Sequence, residues 1–196
     1  MNAINFIKQH GVDKAREVVK CAPTGTNHYC ADNYWFWDGT TLRRTAGDGF
    51  FIHSIWGASE EWVSKAVSLP DLKRLVESVD VVKQLDFWGR ADVGIKKAKE
   101  VIKNNTLQAS YYQPSSGCYY RYGRNSLYIV RDGEWREIYV GMDSNTLIHT
   151  DSLKQAIADY ESIYCVADMG DDTHIENHVS PNCKKFDERV NSNETK

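Results

Sequence analysis

The chain has 196 residues, 41% of them hydrophobic and 12% aromatic, which is ample for a packed core and excludes a chain disordered throughout. Its formal net charge of −3 gives no global case for nucleic-acid binding. No stretch approaches the roughly 20 apolar residues that cross a bilayer, and the polar opening Met1–Lys8 does not read as a secretory leader, so a cytoplasmic protein without membrane contact is expected. Five cysteines (Cys21, Cys30, Cys118, Cys165, Cys183), odd in number and irregular in spacing, read as reduced thiols rather than a disulfide framework. Charge is uneven along the chain: residues 136–196 carry 12 acids and 6 bases, a net of −6, against +3 for residues 1–135.

The first predicted element is a helix in which Val12, Ala15 and Val19 form a narrow apolar face opposite a Lys/Arg face. Asn33 to Leu42 follows, with an Asp38-Gly39 turn signal among strand formers, and reads as an antiparallel hairpin. Beyond Pro70, Asp71 is the candidate N-cap of a helix with apolar Leu72, Leu75, Val76 and Val79. A second series then begins. Ile95, Ala98 and Ile102 repeat the first helix, Tyr128 to Tyr139 repeats the hairpin signal around Asp132-Gly133, and a helix from about Ser152 to Val166 closes it. Gly11–Lys20 and Gly94–Lys103 are identical at six of ten positions and conservative at three more, at an offset of 83 residues that also brings Tyr29 onto Tyr112. The expected fold is therefore α+β, with internally duplicated helix, antiparallel β-hairpin, helix units at 1–85 and 86–170 and a polar, flexible tail at 171–196.

The run Ala22-Pro23-Thr24-Gly25 leading to Tyr29, between the first helix and Trp35-Phe36-Trp37-Asp38-Gly39, resembles a pattern in uncharacterised accessory proteins of tailed phages and lambdoid prophages, as does Asp71-Leu-Lys-Arg-Leu-Val-Glu-Ser78. This chain has Thr26-Asn27 where that pattern has Ala-Thr, and its second copy, Asn105 to Tyr112, lacks the Pro and Gly. The resemblance implies a setting, phage accessory genes that act on host machinery or host defence, and no reaction.

No phosphate-binding loop, nucleophile elbow or His-Glu-x-x-His motif occurs. His28 and Cys30 alternate on a strand, and Cys118 has no His close in sequence, so both thiols read as small hydrophobes. Cys165, His174, His178 and Cys183 form a candidate zinc set, because His-x3-His puts two imidazoles on one helical face. Lys96, Lys97, Lys99 and Lys103, followed by the Tyr/Arg run at 119–124, could contact phosphates and stack bases. The same aromatic and Arg residues suit a protein interface, where Tyr, Trp and Arg dominate binding energy. The leading expectation is a non-catalytic accessory protein, without cofactor, that binds a host protein stoichiometrically and inhibits a defence or replication system. Tyr119, Tyr120, Arg121, Tyr122 and Arg124 form its expected contact segment, with Trp35 and Trp37 shared between core and surface. A nucleic-acid-binding regulator and a zinc-stabilised binding module are the alternatives; oligomeric state is left open.

Overall fold

The computed structural model describes residues 1–45, 51–124, 126–138 and 146–164, with the backbone alone at 51–56. Met1–Cys165 form one compact α+β unit. In chain order the elements are α1 (Ala3–Lys20), β1 (His28–Cys30), β2 (Asn33–Trp37), β3 (Thr41–Thr45), β4 (Phe51–Trp56), α2 (Glu60–Lys65), β5 (Val67–Ser68) and α3 (Leu69–Lys83). There follow α4 (Ala91–Asn104), β6 (Tyr111–Gln113), β7 (Cys118–Tyr122), β8 (Leu127–Arg131), β9 (Glu134–Ile138), β10 (Ile148–His149) and α5 (Thr150–Tyr164). The strands build two antiparallel sheets, ordered β4-β3-β2-β1-β5 and β10-β6-β7-β8-β9. Read from opposite ends, the two orders are the same, with α1 and α4 before their sheets and α3 and α5 after them.

Equivalent side chains make equivalent contacts. Tyr29 and Tyr34 face each other across β1 and β2 with ring centroids 5.2 Å apart at 56°, and Tyr112 and Tyr119 repeat that geometry at 5.2 Å and 56° across β6 and β7. The Tyr34 hydroxyl donates to the Val18 carbonyl at 2.9 Å, and the Tyr119 hydroxyl to the Val101 carbonyl at 2.8 Å. Each bond ties a sheet to the helix before it and gives a half-buried phenol a partner. The last strand of each sheet is fixed alike: Leu69 N–H donates to the Asn27 carbonyl and Thr150 N–H to the Ser110 carbonyl, both at 2.9 Å.

The helices pack as a layer in which α3 meets α5, α1 meets α3, and α4 meets both α3 and α5. Leu72, Leu75, Val79 and Val82 of α3 and Leu153 and Ala156 of α5 are almost wholly buried. The buried stripes of α1 and α4 differ from the sequence expectation by about one residue. They centre on Ala15 with Val18 and on Ala98 with Val101, leaving Val12, Val19, Ile95 and Ile102 at the margins. Small residues take the centre because the helices approach closely there. Gly11, at φ 82 and ψ 162, breaks α1 into two segments, a conformation that favours glycine. The N-cap of α3 is Ser68, whose hydroxyl accepts from Asp71 N–H at 3.3 Å, and not Asp71 itself. Pro70 lies inside the first turn, where its missing N–H has no partner to lose.

Both Asp-Gly signals are hairpin turns, at non-equivalent places: Asp38-Gly39 joins β2 to β3, and Asp132-Gly133 joins β8 to β9. The latter is a two-residue turn with φ 54 and φ 79, the left-handed pair that a type I′ hairpin requires. At the former, Asp38 Oδ1 accepts from Thr40 N–H (2.9 Å), Thr41 N–H (2.7 Å) and the Thr40 hydroxyl (2.8 Å). The Thr41 and Thr40 backbone bonds, favouring the carboxylate, hold its pKa down at about 2 from an ordinary 3.8. A depressed carboxylate contributes stability that is complete above the unfolded pKa and is lost as pH falls through the folded one. Protection of the Thr40 and Thr41 amides from hydrogen exchange is therefore expected to fall between about pH 4 and pH 2. In Asp38→Asn that pH dependence should be absent; an unchanged profile would show that the carboxylate does not hold the turn.

Among the described residues no helix is long and apolar enough to cross a membrane.

Candidate functional site

The sequence-derived contact segment divides on folding. β7 is a central strand of its sheet, and alternation sends its residues to opposite faces. Tyr119 lies on the helix side with its hydroxyl committed to Val101. Tyr120 is 3% exposed, packs with Leu127 and Ile129, and donates to Gln113 Oε1 at 3.0 Å. Tyr120 is thus a core residue and cannot be a surface contact, because its neighbours on β6 and β8 cover it from both sides. Arg121, Tyr122 and Arg124 are exposed. Arg121 lies over the rings of Trp135 and Tyr128, 4.4 and 5.2 Å from their centroids, which makes a cation-aromatic platform across β7, β8 and β9. In the first sheet Arg43 lies 5.8 Å from the Phe36 ring. Phe36 pairs with Arg43 across β2 and β3 as Arg121 pairs with Tyr128 across β7 and β8, with cation and ring exchanged between strands.

Trp35 and Trp37 are half-buried on the outer face of the first sheet, where α2 lays Trp62 over them, with centroids 6.2 Å from each. Sequence reading missed Trp62, which lies on a two-turn helix too short for a clear period. His28 joins the cluster, 5.5 Å from Trp62, with Nδ1 2.8 Å from Asn27 Oδ1. Burial lowers its pKa, with a smaller opposing pull from Asp71, so the ring is neutral at neutral pH. Cys30 is buried and desolvation pushes its thiol pKa up, away from the thiolate that nucleophilic chemistry needs. Cys118 is half-exposed, and its thiol donates to the Ser116 carbonyl at 3.6 Å.

Among the described residues, the most exposed aromatic pair lies in the connection between α3 and α4. Phe87 is 90% and Trp88 75% exposed, with their rings edge to face, centroids 5.1 Å apart. The turn that carries them is fixed at its base. Leu85 is buried, and Asp86 Oδ2 accepts from Trp88 N–H (3.2 Å), Arg90 N–H (3.0 Å) and Arg90 Nε (3.1 Å). The side-chain bond from Arg90, with these amides, holds the Asp86 carboxyl below its ordinary range. A firm turn thus presents two large rings and a guanidinium to solvent. Monomeric surfaces rarely leave such a pair open. In the sequence, Asp86-Phe-Trp-Gly-Arg90 stands outside every periodic segment, and an aromatic pair in a connection was the signal available.

Lys99, one of the basic candidates of α4, is paired with Glu161 of α5 at 2.7 Å. Among the described residues no group of three or more metal-binding side chains occurs. The candidate zinc set Cys165, His174, His178 and Cys183 lies outside the described residues. No family model, curated protein or solved structure matches the chain.

Proposed function

We propose that this chain acts by stoichiometric binding to a protein partner, with the Phe87-Trp88-Arg90 turn as its principal anchor and the Arg121 platform on Trp135 and Tyr128 as a second contact surface. The observation that carries this reading is the high exposure of two aromatic rings, packed edge to face, on a turn pinned by Asp86. Aromatic and Arg anchors held rigid before binding lose little freedom when they dock, and such residues carry most interface energy. The resemblance to phage accessory proteins supplies the setting: the partner is a host protein, and binding inhibits a defence or replication function. The test is affinity capture from nuclease-treated bacterial lysate by the unaltered chain and by Phe87→Ser/Trp88→Ser, a pair whose side chains touch little of the fold. Loss of two anchors should weaken capture at least ~30-fold, the equivalent of about 2 kcal/mol, with unchanged circular dichroism. Equal capture by both proteins would remove the turn from the interface.

A second reading, nucleic-acid binding, is favoured by the Arg121 platform on Trp135 and Tyr128, which offers a cation and ring faces together. It requires affinity that falls steeply with salt as phosphate contacts release counterions, and salt-insensitive or absent binding would dismiss it.

A further inference from the structure

The first segment of α1, Ala3–His10, ends at the Gly11 break and packs on β1 through Phe6, whose ring meets Tyr29 edge to face at 5.9 Å. Its start is tied to the end of α2, where the Met1 amino group donates to the carbonyls of Ser64 and Ala66. A recess of about 360 Å³ opens between these elements. That volume lies within the roughly 300–1,000 Å³ of small-molecule sites. Phe6, Tyr29 and Cys30, all buried, form the floor, and the accessible wall is mainly apolar. The recess is particular to the first half. In α4 only Ala91–Val93 precedes Gly94, the counterpart of Gly11, so among the described residues the second half has no helical segment matching the one that carries Phe6.

The rim is positive. Lys14, Lys65 and the Met1 ammonium line it, against the carboxylate of Asp32, whose Oδ1 accepts from the Tyr29 hydroxyl at 2.8 Å. Lys14 and Lys65 each pair with a glutamate of their own helix, Glu17 at 3.2 Å and Glu61 at 2.6 Å. All four side chains are exposed, and such surface pairs are weak and leave ammonium donors open. Burial pushes the Cys30 thiol pKa up, while Lys65 and the Met1 ammonium act against that rise, so their positive field reaches the floor. An apolar body leaves water for such a floor, and a carboxylate at its end gains charge-assisted hydrogen bonds at the rim. A cation of the same shape would meet like charge.

We infer that the recess between α1, β1 and α2 binds a small monocarboxylate with an apolar tail, the free acid of a medium-length alkyl chain. The tail lies against Phe6, Tyr29 and the methylene stems of the lysines, and the carboxylate lies at the rim that Lys14 and Lys65 provide.

The test follows the backbone amides of Tyr29, Cys30 and Val67 in ¹H–¹⁵N spectra of the full chain. It is titrated with sodium octanoate, with octylammonium chloride and with sodium acetate, which keeps the carboxylate and lacks the tail. Octanoate should displace these signals saturably, with nuclear Overhauser contacts from its methylenes to the Phe6 and Tyr29 rings. Octylammonium should bind at least ~10-fold more weakly, and acetate should leave the signals in place. In Lys14→Gln/Lys65→Gln, two exposed positions, octanoate should weaken about tenfold and octylammonium should not. No saturable displacement by octanoate, equal displacement by octylammonium or acetate, or unchanged octanoate affinity in the double variant would overturn the assignment. The partner reading is unaffected by either result, because none of these residues lies in the Phe87-Trp88 turn.

Discussion

Replacing Gly94 by Ala should destabilise the fold by about 3 kcal/mol, although Ala is the better helix former by roughly 1 kcal/mol. Gly94 is helical and lies where α4 crosses the end of α3, and a Cβ built there would sit 2.1 Å from the Val82 carbonyl oxygen and 2.9 Å from its carbon. Those are backbone atoms. The Val82 oxygen also accepts from Leu85 N–H, at 3.2 Å, and Val82 is fully buried, so the contact cannot be relieved by a side chain swinging away. The helices must separate, which loosens Ala98 and Val101 against the core. Chemical denaturation of Gly94→Ala beside Gly11→Ala reads the effect. Gly11 has open space around it, so the second substitution meets only an unfavourable φ of 82 and should cost about 1 kcal/mol. Equal stability of Gly94→Ala and the unaltered chain would contradict the α3–α4 contact.

Asp159→Ala should cost about 2 kcal/mol, because it strips hydrogen-bond donors at a helix contact of their shared acceptor. Asp159 is 5% exposed at the contact of α3 with α5, where its carboxylate accepts from Arg74, from the Ser78 hydroxyl at 2.7 Å and from Gln155 Nε2 at 3.1 Å. Ser78 and Asp159 stand at equivalent places in the two halves, as do Arg74 and Gln155, so one carboxylate serves donors from both helices. Removing it leaves a buried hydroxyl and a guanidinium without their acceptor, a loss larger than the net worth of the bonds themselves. Asp159→Asn keeps the shape and one acceptor oxygen and should lose about half as much. The two variants are separated by their urea midpoints at unchanged slope. If Asp159→Ala unfolded at the same midpoint as the unaltered chain, the network would not couple the two halves.

The α+β class was legible from helical periods and from aromatic strands around Asp-Gly turns, and the match of Gly11–Lys20 with Gly94–Lys103 pointed to the paired helices; the Asp-Gly turns, which fall at non-equivalent places, did not give the pairing of the strands. The deeper correspondence rests on Tyr29, Tyr34, Tyr112 and Tyr119, whose spacing is unremarkable until the sheets pair them. Gly11 and Gly94 align in sequence and yet do different things, one turning the chain and the other permitting a close crossing, which no local pattern distinguishes. Tyr120 read as surface because strand alternation does not reveal which face will be covered; sheet order decides that. The Phe87-Trp88 turn and the Trp62 cluster escaped for the opposite reason. Their residues lie in connections and a short helix, where hydrophobic period says nothing and only exposure and assembly in space give the rings meaning.

The measurement that bears most directly on partner binding is site-specific photocrosslinking from position 88. The benzophenone amino acid p-benzoylphenylalanine replaces Trp88, so the probe keeps an aromatic ring on the same pinned turn, and irradiation is carried out in bacterial lysate with and without nuclease. The account predicts one discrete protein adduct that survives nuclease and disappears when the probe is moved to the exposed position 73 on α3. Absence of any protein adduct from position 88, or an adduct of nucleic acid alone, would contradict it.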